Sequence, residues 1–197
     1  MKKIFTFFLF SIIFISNTNV SFSIEPDVFI QSTVNRAAST LSGDLSQEER
    51  IQELKQIAID TVDINGIGFY SLGSHRKNLN KNQLSDYKTV FKEYFLKSFS
   101  SRLAEYSNPE IEVISKNIIN KNYTIVLSKL VGTESRPEVK IEWRVYTKDP
   151  DNLLIRDLII EGLSLARTQK EEFNSIIQAA NGDIDTLINN LRNFSNN

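Results

Sequence analysis

The side chains in this 197-residue sequence that could do chemistry are few, and their spacing works against most reactions. His75 is the only histidine and there is no cysteine, which rules out a histidine-rich metal site, a thiolate ligand and a thiol nucleophile. His75 stands beside Arg76 in a polar stretch, a setting that suits a surface or packing residue better than a base. Ser164 lies in Gly162-Leu163-Ser164-Leu165-Ala166, which lacks the second glycine of a nucleophile elbow. Asp157 and Glu161 look like a carboxylate pair, but four residues along a strand separate their backbones by roughly 13 Å, beyond the spacing glycosidases use. They are better suited to fixing the strand through hydrogen bonds or ion pairs, for instance with Arg144 or Arg156. Gly66 and Gly68 fit neither Gly-x-Gly-x-x-Gly nor a Walker loop, so they read as short helical turns where glycine permits close packing. The expectation is a binding protein rather than an enzyme, with no cofactor.

Composition agrees with a single globular unit: 41% of residues are hydrophobic and 24% charged. Lys2 and Lys3 precede an apolar run from Ile4 to Ile15, followed by a polar stretch and Ser21-Phe22-Ser23, with small residues suited to a cut after Ser23. The run is too short for a comfortable membrane span, so residues 1–23 read as a signal peptide and 24–197 as one exported domain. Losing the two lysines takes the formal charge from −1 to −3, which provides no electrostatic footprint for nucleic acid. Without cysteine, the exported fold must be stabilised by its core.

Whatever the chain binds must be positioned by the following elements. Apolar residues at three- and four-residue steps predict a helix over Glu25–Leu41, and Ser46 with Glu49 forms a possible capping box for a second, running to Val62. Asn80, with Gln83 three positions on, caps a long third helix. Its stripe runs through Leu84, Tyr87, Phe91, Tyr94, Phe95, Phe99, Leu103 and Tyr106, and Asn108-Pro109 ends it. A strand-rich half follows. Ile111–Ile114 and Tyr123–Val131 are strands separated by a hairpin-like connection over Asn117–Asn122. Val139, Ile141, Trp143 and Val145 alternate strictly with polar neighbours, and Ile155–Ile160 reads as an inner strand. Short turns make this an antiparallel meander. Two helices close the chain, broken at Asn181-Gly182, with a frayed tail from Asn193. The predicted class is α+β, a four- or five-stranded antiparallel meander packed against N- and C-terminal helices.

Two stretches also carry a family resemblance. Asp157-Leu-Ile-Ile-Glu161-Gly162-Leu-Ser164-Leu165, with Glu172-Phe173 beyond, resembles a signature of the MlaC family, periplasmic phospholipid carriers also known as toluene-tolerance proteins. Val62-Asp63-Ile64 through Leu72-Gly73 and Arg76 resembles a second family segment in the right order. The resemblance implies a glycerophospholipid held with its tails in an apolar cavity between sheet and helices. It also implies a shuttle between an outer-membrane lipoprotein complex (MlaA-like) and an inner-membrane ABC transporter with an MCE-domain subunit (MlaD-like), maintaining outer-membrane lipid asymmetry. On this reading the chain is a monomer. The expected lipid contacts are Val126, Val139, Ile141, Trp143, Val145, Leu158 and Ile160 from the sheet, and Ile67, Tyr70, Phe91, Phe95, Phe173 and Ile177 from the helices. The competing expectation is an exported protein-interaction adaptor whose apolar residues are ordinary core, with an exposed patch for its partner.

Overall fold

The computed structural model describes residues 24–106, 109–134 and 136–196. The expected signal peptide, its cut after Ser23, and Asn108 of the expected helix stop lie outside the described residues.

Local chemistry sets the helix starts. Helix α1 (Pro26–Ser42) begins on a proline whose fixed φ suits a first turn. Helix α2 (Gln47–Thr61) opens with the expected capping box: the Glu49 amide donates to Ser46 Oγ at 3.3 Å and the Ser46 amide to Glu49 Oε2 at 2.8 Å. Asp63 caps α3 (Ile64–Leu72) by accepting from the Gly66 amide at 2.8 Å. The glycine-bearing stretch is therefore one regular helix followed by a 3-10 turn, Gly73–Lys77, rather than a string of short turns. Gly68 explains the close packing there, because a Cβ would fall 2.8 Å from the Phe91 ring. Asn80 and Gln83 cap α4 (Lys81–Ala104) as predicted. That helix stops at Ala104, so Tyr106 leaves the apolar stripe and is exposed.

The sheet order is β1 (Ile111–Asn120), β2 (Tyr123–Leu130), β3 (Val139–Tyr146), β4 (Leu154–Ile160) and β5 (Leu163–Ser164), each antiparallel to its neighbour. Three expectations change. Strand β1 continues through Asn117–Asn120, where a connection was expected, because β2 pairs with it out to Asn120, across two register shifts, and the turn needs only Lys121 and Asn122. Strand β4 is an inner strand only in part. One side pairs with β3 along its length; the other meets two-residue β5 at one end and a parallel bridge from Val62 to Ile155 at the other. After α5 (Leu165–Ala179), α6 (Ile184–Asn196) continues through the tail expected to fray. The Phe194 ring packs 5.1 Å from Tyr94, and Lys97 Nζ donates to the Phe194 and Ser195 carbonyls, holding the last turn.

Buried apolar residues gather in three clusters. The largest lies among α3, α4, α5 and α6 around Tyr87, Phe91, Phe173, Ile177 and Leu187. A second joins α1 to the sheet through Ile30, Val34, Val126, Val145 and Ile155. A third holds α1 on α2 through Leu41, Leu54 and Ile57.

Candidate functional site

The strand register decides which side chains share a surface. Direct partners across an antiparallel pair point to the same face. Val126 pairs with Trp143 and Trp143 with Leu158; Ile141 pairs with Ile160, and Ile160 with Leu163. Val126, Val139, Ile141, Trp143, Val145, Leu158 and Ile160 therefore lie on one face, the one that α1 covers in part. Their burial differs. Val126 and Val145 belong to the α1–sheet cluster, with Trp143 packed at its margin and donating from Nε1 to Ser128 Oγ at 2.8 Å. Ile141 is buried outside the three clusters. Val139, Leu158 and Ile160 are half-buried and join none of the clusters, and Leu163 beside Ile160 is 58% exposed. The result is an apolar strip on β3–β4–β5 with incomplete cover.

The helical candidates separate from it. Ile67, Phe91, Phe173 and Ile177 are sealed within the four-helix cluster, with Phe95 at its edge. Phe91 meets Phe173 edge-on at 6.1 Å, and Phe95 stacks on half-buried Phe99 at 5.7 Å. Tyr70 stands apart on the outer surface, 44% exposed, with Lys170 Nζ 5.3 Å from its ring centre. Two open grooves mark the described surface. One of about 520 Å³ lies between α1 and the start of β1, lined by Gln31, Val34, Ala38, Pro109 and Val113 among others. The other, of about 700 Å³, runs along α1 and α2. None of the thirteen candidates lines either groove.

The polar residues singled out by sequence build a corner rather than a reaction centre. Glu161 (φ 48°) and Gly162 (φ 82°) form a two-residue turn with both backbones left-handed, the geometry that suits a tight hairpin. Glu161 is held there because its amide donates to the Lys140 carbonyl while its carboxylate accepts from the Lys140 amide. Ser164 then caps α5, accepting from the Arg167 amide at 3.1 Å and donating to buried Asp157 at 2.6 Å. Asp157 also accepts from the Ala166 amide at 3.0 Å and lies 3.7 Å from Arg144. Arg144 is thus a partner as expected, whereas Arg156 bonds elsewhere. Its Nε donates to Asp63 at 2.7 Å and its Nη1 to the Tyr123 hydroxyl at 2.8 Å, with its guanidinium 3.6 Å from the Tyr146 ring centre.

Sequence reading missed that joint and also missed Leu163. Reading Glu161-Gly162 as a two-residue hairpin turn would have set the leucine opposite Ile160; the Asp63–Arg156 contact, 93 residues apart, has no local signal. His75 Nε2 lies 3.0 Å from Asn174 Oδ1, a contact between the 3-10 turn and α5. Burial pushes the Tyr87 hydroxyl pKa well above its usual value, consistent with a permanent donor to the Gly68 carbonyl at 2.9 Å. Among the described residues no cluster of three or more metal-binding side chains occurs, and no helix is long and apolar enough to cross a membrane.

A model of the MlaC protein family matches residues 31–193. Among solved structures, a phospholipid-binding protein from Ralstonia solanacearum, in complex with a phospholipid, has the same fold at a TM-score of 0.73 and 18% identity. That match covers 87% of this chain and 97% of the other. No curated protein matches the chain in sequence.

Proposed function

The chain belongs to the MlaC family, and from that premise we propose that it is a phospholipid carrier working between two membranes. The observation that carries the reading is the half-buried strip of Val139, Leu158, Ile160 and exposed Leu163, apolar surface that the chain's own core leaves without full cover. Acyl tails would complete it, running from the β5 rim toward Ile141 and Trp143. The headgroup would stay near solvent. The phospholipid in the Ralstonia protein's complex supports the ligand class.

The energetics of such a carrier follow from the tails. Two of them hold about 30 methylenes, worth on the order of 24 kcal/mol gross on leaving water. A bilayer offers nearly the same, so the protein surface must roughly match the membrane and small contacts at docking can tip the lipid either way. No covalent step and no cofactor is needed. Export by the 1–23 segment, a periplasmic location, and hand-over between MlaA-like and MlaD-like partners complete the proposal.

A second reading, an exported adaptor, is favoured by one observation: Ile114, Ile118 and Ile119 of edge strand β1 are exposed, Ile118 at 72%. Uptake of labelled phosphatidylethanolamine from vesicles separates the two. The carrier takes up lipid, and Leu158→Asp or Val139→Asp reduces uptake at least tenfold with the circular dichroism spectrum retained. Normal uptake by both variants, or none by the wild type, would leave the adaptor as the better reading.

A further inference from the structure

The chain's charge is unevenly distributed. Between residues 64 and 92 lie five basic side chains, Arg76, Lys77, Lys81, Lys88 and Lys92, and one acid, Asp86, although the whole sequence has a formal charge of −1. Asp86 is already paired with Arg192 at 2.7 Å, and Asp63, at the start of this region, with Arg156 at 2.7 Å. Arg76, Lys77, Lys88 and Lys170 have no carboxylate partner among the described residues.

These cations surround the outer face of α3. Lys88 from α4 reaches over the Phe69 ring at 5.2 Å, and Lys170 from α5 over the exposed Tyr70 ring at 5.3 Å. Arg76 and Lys77 are exposed on the 3-10 turn that follows, which His75 ties to α5 through Asn174. Glu93 and Glu171 lie about 140° and 100° around their helices from Lys88 and Lys170, so neither shares that face. The Tyr70 ring with its polar tip and the half-buried Phe69 ring, flanked by long cationic stems, suit the headgroup layer of a bilayer: rings settle at the interface while the ammonium groups reach phosphate. A basic cluster beside an anionic leaflet adds attraction within a Debye length.

We propose that the α3 face, with its rim of Arg76, Lys77, Lys88 and Lys170, docks the protein on an anionic lipid surface. An acidic protein would need carboxylates in matching register with cations spread over three elements, whereas a charged leaflet requires no fixed geometry. The surface lies outside the apolar strip of β3–β5, so docking and lipid retention are separable properties.

Co-sedimentation of the purified chain with vesicles tests this, using phosphatidylcholine alone and a roughly three-to-one mixture with phosphatidylglycerol. Binding is expected only to the anionic vesicles and should weaken as salt rises. Arg76→Glu/Lys77→Glu/Lys170→Glu should reduce it by about fivefold for each charge lost. Lys121→Glu/Lys148→Glu, in turns of the sheet, should leave it unchanged, and both variants should keep wild-type phospholipid uptake. Equal binding to phosphatidylcholine vesicles, binding indifferent to salt, or full binding by the triple variant would overturn the proposal. So would absence of binding at low ionic strength, which would not touch the carrier reading because uptake is scored separately.

Discussion

A single carboxylate, Asp157, joins the sheet to the C-terminal helices. It is buried, accepts from the Ser164 hydroxyl and the Ala166 amide, and faces Arg144 at 3.7 Å. Removing the carboxylate leaves two donors without an acceptor and a cation without a partner. Asp157→Ala should therefore cost about 2–4 kcal/mol, read as a fall of several degrees in melting temperature. Ser164→Ala should cost less, since Asp157 keeps the Ala166 amide. Equal stability of the Asp157→Ala protein would show that the corner is held by packing alone. At this scale the sequence was informative about kinds of residue and poor about pairs: Asp157 and Glu161 read correctly as strand-fixing groups, and Arg144 was named as a partner. The register that sends Arg156 to Asp63 instead depends on a bulge in β4, between Ile155 and Asp157, that no local pattern announces.

Two elements far apart in sequence become one structure at the α3–β4 joint. The Asp63 amide donates to the Ile155 carbonyl at 2.9 Å, its carboxylate caps α3 and also accepts from Arg156. One stretch that carries the family resemblance is thus tied to Ile155 and Arg156, the two residues just before the other. A second link ties the start of α1 to β1, where Lys116 donates to Asp27 at 2.7 Å and Glu25 at 2.6 Å. The hydrogen bond from Lys116 holds the Asp27 pKa below its usual 3.8, and those that Lys116 donates to Asp27 and Glu25 hold the Lys116 pKa above its usual 10.5. A depressed acid stabilises above its unfolded pKa and loses that stabilisation as pH falls through the folded one; a raised base does so below its unfolded pKa and loses it as pH rises. The stability difference between wild type and Lys116→Gln should therefore be level between about pH 5 and 9, at most about 1 kcal/mol for so exposed a pair, and vanish in acid. A difference that grows below pH 4 would contradict the assignment. Helix starts were legible at this scale because capping boxes at Ser46–Glu49 and Asn80–Gln83 are local chemistry. The length of β1 was not, because Asn117 and Asn120 are turn-forming types placed in a strand by pairing with β2.

For the whole molecule, alternation in β3 and helical spacing elsewhere were enough to predict an α+β meander with helices before and after it. The candidate site was legible only by half. The sheet residues named from sequence do share one face, which strict alternation made readable. The helical ones mostly fill a separate cluster, because an aromatic stripe of period 3.6 looks the same whether it meets other helices or a ligand. Everything proposed about function turns on whether the uncovered strip on β3–β5 holds acyl tails. Native mass spectrometry of the chain purified gently from lipid-replete cells, followed by solvent extraction and lipid identification, tests that most directly. A discrete added mass that resolves into phospholipid, lost in Leu158→Asp, is the predicted result. A bare chain that also fails to acquire phospholipid from vesicles would contradict it.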